Sequence, residues 1–212
     1  EIYYMKKIIF WIILIISLIF IVGIFVMKNK NTESNNSNYN AEKSSITKKD
    51  VTEIIPEVQE KKETEIASFS TKIRNKDKER QNNISITTKK INGKEVKTGE
   101  IFSFCETVGK ATAEEGYQKA DIYVDGKKEQ GYGGGNCQVS TTLYNAVLQV
   151  NGLEVIERHE HSGHVPYVEK GKDAAVSYGS YDFKFKNNTD NIIKINIENN
   201  ENEIIAKLIK VE

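Results

Sequence analysis

Apolar positions fall along this chain in three regimes. From Ile8 to Met27 they are almost unbroken, and about twenty such residues match the thickness of a bilayer core. Lys6 and Lys7 precede the run and Lys28 and Lys30 follow it, so residues 1–30 are expected to form one N-terminal transmembrane anchor. The rival reading, a cleaved signal peptide, fits less well, because the run is long and no small-x-small pattern follows it. Lysines on both flanks give little inside-positive bias, and the simpler arrangement keeps a short N-terminus inside and exports the rest. Met5 is the expected start of translation. Residues 31–64 then turn to Asn, Ser, Glu, Lys and Thr, too polar to offset their ordering entropy, which predicts a disordered polar tether.

From residue 65 onward the apolar positions become periodic. Ile66 to Ile73 alternates loosely and predicts a strand; the polar run 74–83 reads as a loop, and a short helix starting at Asn82 or Asn83 closes at Asn92-Gly93. Lys97 to Glu100 reads as a turn before a strand at Ile101 to Phe104, and Asp121 to Val124 as a strand before an Asp125-Gly126 hairpin turn. Val139, Leu143, Ala146, Val147 and Val150 recur at helical spacing, with Ser140, Thr141 and Thr142 as cap-type residues and Asn151-Gly152 as a stop, so a helix is expected over Gln138 to Val150. Strand patterns follow at Leu153–His161, Ala174–Tyr178, Asp182–Lys186, Ile192–Ile197 and Ile204–Val211. Neighbouring strands with short links favour antiparallel pairing, hence an α+β domain over residues 65–212 with one prominent helix packed on the sheet. That is about 150 residues, enough for one core. No internal repeat is present.

Composition changes the picture little. With 30 basic and 30 acidic residues the formal charge is zero, which provides no pull toward nucleic acid.

The chemistry concentrates in the stretch GYGGGNCQVSTTLYNAVLQVNG, Gly131 to Gly152. Three glycines deliver the backbone to Asn136 and Cys137, which puts the cysteine at or just before a helix N-terminus. There the free amides and the helix dipole favour a thiolate. Glycines also let backbone amides approach a substrate oxyanion. All three histidines, His159, His161 and His164, lie in HEHSGH just downstream. On an extended backbone His159 and His161 share a side, and one of them could face Cys137 as a base, oriented by Asp173, Asp182 or Glu157. Three other readings stand beside this one: a Cys105–Cys137 disulfide, a zinc site of Cys137 with the histidines, and a merely buried cysteine. Arg80 and Arg158 could each hold a substrate carboxylate or pair with an acidic neighbour; Arg158 is preferred because it adjoins the histidines.

The segment GGGNCQVSTTLYNAV resembles the signature of the VanW family. The resemblance extends upstream through SFSTKI, Asn83-Ile84, KINGKEVKTGEIFSF, ETVG and EEGY, and downstream through ERHEHS, VPYV, GKDAAVSYG and DFKFKNNT, covering about Ile66 to Asn196. Family members occur in Gram-positive cell envelopes, and the name comes from an accessory gene of some vancomycin-resistance clusters. Some are associated with L,D-transpeptidase activity that cross-links peptidoglycan stem peptides, with the cysteine of GGGxCQ as nucleophile. The resemblance thus implies Cys137 as nucleophile and His161, in the ER-x-x-HS pattern, as base ahead of His159. Substrate-binding or oxyanion roles are expected around them for Gly134, Gly135, Asn136, Gln138, Ser140, Arg158, Ser162, Tyr167 and Asp173, with no metal and no cofactor. The implied partners are peptidoglycan stem peptides and, through the anchor, the membrane; the alternative is a non-catalytic envelope protein that binds such peptides. Departures from the family pattern are Thr98 where proline is expected, Asn136 in place of a small apolar residue, and Cys105 where asparagine is more usual. The last of these speaks against an obligatory disulfide.

Overall fold

A computed structural model describes residues 61–124 and 127–212. The expected membrane span, most of the expected tether and the Asp125-Gly126 turn lie outside the described residues. Among those described, no helix is long and apolar enough to cross a membrane.

The core is built on period-two strands. β8 (Ile192–Asn199) and β9 (Glu203–Val211) bury Ile193, Ile195, Ile197, Ile204, Ala206 and Leu208 on one face and leave most of their alternates half-buried, as the period of a pleated strand dictates. Each buried isoleucine contributes roughly 1.5–3 kcal/mol. β1 (Glu63–Lys72) pairs with β9 and β2 (Lys94–Val96) with β8, giving an antiparallel sheet in the order β1-β9-β8-β2. A second antiparallel sheet joins β3 (Ile101–Ser103), β7 (Lys184–Asn187) and β6 (Leu153–Glu157) in the order β3-β7-β6. Phe102 stacks on Phe185 there with ring centroids 5.1 Å apart. β4 (Ala120–Val124) and β5 (Lys127–Gly131) form a separate hairpin.

Three helices accompany the sheets: α1 (Lys78–Ile91), α2 (Phe104–Val108) and α3 (Asn136–Val147). α1 packs on β8, α3 packs on β1 and β9, and the two helices touch each other. The α+β class with mainly antiparallel sheet is therefore observed, but with two substantial helices rather than the one expected. α1 begins four residues before the expected start, within the run assigned to a loop. Lys78 and Glu79 of its first turn face solvent, with Glu79 suited to the helix N-terminus, and its buried face is largely polar through Asn83, Thr87 and Thr88. That face carries too few apolar residues to announce a helix. α2 and β2 were not foreseen; α2 is capped by Ser103, whose Oγ accepts from the Glu106 amide at 3.0 Å. The strand expected at Leu153–His161 stops at Glu157, and the one at Ala174–Tyr178 reduces to single bridges, His159 to Ala175 and Ser177 to Tyr181.

The glycine loop is fixed by close packing as well as by conformation. A Cβ on Gly134 would lie 2.7 Å from the Ala120 Cβ, and one on Gly135, at φ +108°, would lie 2.7 Å from Ile84 Cγ1. Both glycines are thus needed where the loop crosses β4 and α1, and Gly135 is the N-cap residue of α3. Gly135→Ala is expected to cost about 2–5 kcal/mol, from left-handed backbone strain plus overpacking, measurable as a lower denaturant midpoint; Gly133→Ala, with open space around it, should cost far less.

Candidate active site

α3 offers an unusually polar buried face. Gln138, Ser140, Thr141, Thr142 and Asn145 are all buried, so each needs a partner. Gln138 Nε2 donates to Thr71 Oγ1 at 3.0 Å and to Lys72 O at 3.1 Å, and the Thr142 and Thr71 hydroxyls lie 2.7 Å apart, which ties α3 to β1. On another side, Ser140 Oγ donates to Ala174 O at 2.6 Å, Thr141 Oγ1 accepts from Ala174 N at 3.0 Å, and Asn145 Nδ2 donates to Lys172 O at 2.7 Å. These bonds hold the segment Lys172–Val176 in register along the helix. Ser140, Thr141 and Thr142, expected as cap-type residues, serve this lateral docking instead.

Cys137 lies in the first turn of α3, and the Val176 backbone lies against its Sγ, N–H and C=O each at 3.5 Å. The amides of Asn136 and Gln138 donate to Gly133 O at 3.1 Å and Gly135 O at 3.0 Å, whereas among the described residues the Cys137 amide has no hydrogen-bond acceptor. The Asn136 side chain is buried and accepts from Thr87 Oγ1 at 2.8 Å. Asn136 and Gln138 therefore brace the loop on either side of Cys137.

Docking of the 172–176 segment brings Asp173 beside His161. Asp173 Oδ2 lies 2.6 Å from His161 Nδ1 and accepts from the His161 amide at 2.7 Å. With Nδ1 so engaged, Nε2 is left for the Cys137 thiol. Burial disfavours the imidazolium, but hydrogen bonding and charge from Cys137 and then Asp173 outweigh it, and the His161 pKa is raised. Burial likewise opposes the Asp173 carboxylate, yet hydrogen bonds from His161 prevail and its pKa is lowered. Behind Asp173, Arg158 donates from Nε to Asp173 O at 2.6 Å and from Nη2 to Oδ1 at 3.1 Å. It also pairs with Glu160 at 2.8 Å and lies over the Tyr144 ring. Arg158, expected beside a substrate, is thus occupied in holding the carboxylate.

The other named residues separate from this line. His159 turns to Glu157, 3.0 Å away, and stacks on Tyr181; the strand has ended by then, so the shared side expected for His159 and His161 is lost. Glu157, with hydrogen bonds from Lys184 first and then His159, is held down at about 2. Asp182 accepts from Ser103 Oγ at 2.6 Å and the Cys105 amide at 2.8 Å, well away from the imidazole's partner. Ser162 and His164 are exposed. Both cysteines are free, and burial followed by the Asp182 charge pushes the Cys105 thiol up to about 12. Among the described residues no group of three or more His, Cys, Asp or Glu side chains is placed to hold a metal ion.

Cys137 and His161 open onto a cavity of about 480 Å³ whose walls also include Lys72, Arg74, Arg80 and Tyr167. Burial and then the Cys137 charge raise the Tyr167 pKa. Arg80 donates from Nη2 to Gln138 Oε1 at 2.8 Å. Sequence patterns had singled out neither the Val176 backbone, which carries no side-chain signal, nor the docking role of Asn145.

Fold and site together define an α+β domain in which a helix-initial cysteine meets a His–Asp pair. The sequence model of the family described as VanW like protein matches residues 79–209, so the chain belongs to the VanW family. It is 43% identical over 123 residues to the uncharacterized protein YoaR of Bacillus subtilis, covering 58% of this chain and 40% of that protein. It is 34% identical over 134 residues to the vancomycin B-type resistance protein VanW of Enterococcus faecalis, covering 59% and 47% respectively. The chain thus spans less than half the length of these curated relatives. No solved structure matches it.

Two outcomes follow from this geometry. At mildly acidic pH a thiol reagent should label Cys137 well before Cys105, whose thiol is held neutral; peptide mapping by mass spectrometry reads the order, and His161→Gln should slow the Cys137 reaction. The raised His161 pKa also fixes the sign of its linkage to folding. Its contribution is fully present below about pH 6.5, the unfolded value, and is lost as pH rises through the higher folded value. The stability gap between wild type and His161→Gln in denaturant titrations should accordingly shrink from pH 6 to pH 9.

Proposed function

We propose that the protein is a cysteine acyltransferase of the cell envelope, acting on peptidoglycan stem peptides in the manner of an L,D-transpeptidase and held at the outer membrane face by residues 1–30. The observation that carries this reading is the line from Cys137 through His161 to Asp173 at a cavity wall. Kinship with a vancomycin B-type resistance protein supports an envelope role linked to vancomycin resistance. A cross-link that bypasses the D-Ala-D-Ala terminus bound by vancomycin would fit that link. Membrane tethering would hold the enzyme at high effective concentration beside a fixed polymer.

In the reaction the Cys137 thiolate attacks the carbonyl carbon of the stem's third residue. The new S–C bond moves the carbonyl electron pair onto oxygen, and the Cys137 amide, together with those of the glycine loop, stabilises that oxyanion. Collapse breaks the C–N bond to the terminal D-alanine, whose departing nitrogen takes a proton from His161 Nε2. Asp173 keeps the imidazole in the tautomer this requires. The amine of a neighbouring stem then attacks the thioester, gives its proton to His161 and releases the thiolate.

Intact-protein mass spectrometry of the full chain with stem tetrapeptide tests this. Loss of D-alanine with a thioester adduct or a cross-linked product is expected, absent in Cys137→Ala and slowed about 10²–10⁴-fold in His161→Gln. A folded protein with no adduct and no turnover would shift the reading to a non-catalytic envelope protein that binds stem peptides.

A further inference from the structure

Among the described residues, Arg80 is the charged group of the cavity wall with a buried donor left unbonded. Its Nη2 is fixed on Gln138 Oε1 at 2.8 Å, and Gln138 is itself anchored to Thr71 and Lys72. The guanidinium is therefore held in one orientation by the residue that follows Cys137. Nη1 is shut off from water and has no hydrogen-bond partner among the described residues. Folded proteins seldom leave a buried charged donor in that state without a functional reason.

No carboxylate of the described residues lies within ion-pair distance of Arg80. Asp121, whose charge reaches it, pairs with Lys128 at 2.7 Å instead. Arg158, beside Asp173, has its donors taken up by Asp173 and Glu160. The cations Lys72 and Arg74 line the same cavity, and Arg74 is partly occupied through Nε with Pro166 O. The cavity wall shared with Cys137 thus carries Lys72, Arg74 and Arg80 against one lining carboxylate, Asp121, which is already paired with Lys128.

We infer that Arg80 receives the free C-terminal carboxylate of the residue that leaves the acyl donor, and so restricts the site to peptides with one residue beyond the attacked carbonyl. The inference rests on the acyl-transfer reading and adds its specificity-determining contact. Arg80 lines the cavity, so its charge would favour a carboxylate there and would disfavour an internal peptide bond, which has none. It also aligns the leaving nitrogen relative to the thiolate, because the anion is a fixed number of bonds from it.

Binding to the full chain carrying Cys137→Ala, which separates recognition from turnover, provides the test. Calorimetry would compare stem tetrapeptide as the free acid with the same peptide bearing a C-terminal amide, in the Arg80 background and with Arg80→Gln or Arg80→Lys added. The free acid is expected to bind about 10- to 100-fold more tightly than the amide. Arg80→Gln should abolish that preference and Arg80→Lys should retain part of it; a structural role alone would weaken both peptides equally. Equal binding of acid and amide, a preference that survives Arg80→Gln, or no binding of either peptide would overturn the inference. An acid preference that depends on Arg80, found beside a wild type that forms no thioester, would uphold the receptor and sink the acyl-transfer reaction.

Discussion

The site depends on the hydrogen bonds between one helix and one irregular segment. Residues 172–176 belong to no regular strand, so their backbone groups require partners from elsewhere. Ser140, Thr141 and Asn145 of α3 supply them, and the match is mutual, because those side chains are buried and would be costly to leave unpaired. A segment held this way is as fixed in register as a strand. One end of it delivers the Asp173 carboxylate to His161, and the other lays the Val176 backbone against the Cys137 sulfur. Cys137 is carried by the same helix, so the thiol and the Asp173 carboxylate are referenced to a single rigid element.

Electrostatics then run outward from that frame. Arg158 compensates the buried Asp173 carboxylate, and Cys137 together with Asp173 favours the protonated His161 imidazole. Alternating charges in a poorly solvated place sustain one another, whereas any single one of them alone would be driven neutral. Arg80 lines the same cavity as the Cys137 sulfur, with its own charge only partly met. The resting cavity is consequently biased toward anions.

The parts of the fold legible from sequence were those where packing alone chooses the residue. The alternating isoleucines of β8 and β9 and the apolar spacing of α3 gave strands and helix within a few residues of their observed bounds. The start of α1 was hidden because its first turn is wholly polar and its buried face mixes Ile84 and Ile91 with Asn83, Thr87 and Thr88, types that ordinarily mark loops. The same habit made Ser140 to Thr142 look like caps. Spacing named the pair Cys137 and HEHSGH, but it could not choose among Asp173, Asp182 and Glu157. That choice depends on how a non-repetitive segment lies across α3, and side-chain-to-backbone bonds over thirty or so positions leave no periodic trace. Arg80 was equally opaque, since whether an arginine is paired is a property of its neighbours in space.

The pairing of β1 with β9 joins Glu63 to Val211, the first and last strands of the domain. This is high contact order at the centre of the structure: the largest sheet closes only after nearly the whole domain has been made. α3 rests on those two strands, so its seat is incomplete in any nascent or truncated chain. The helix that carries Cys137 therefore takes its full seat only once strands from both ends of the described residues have paired.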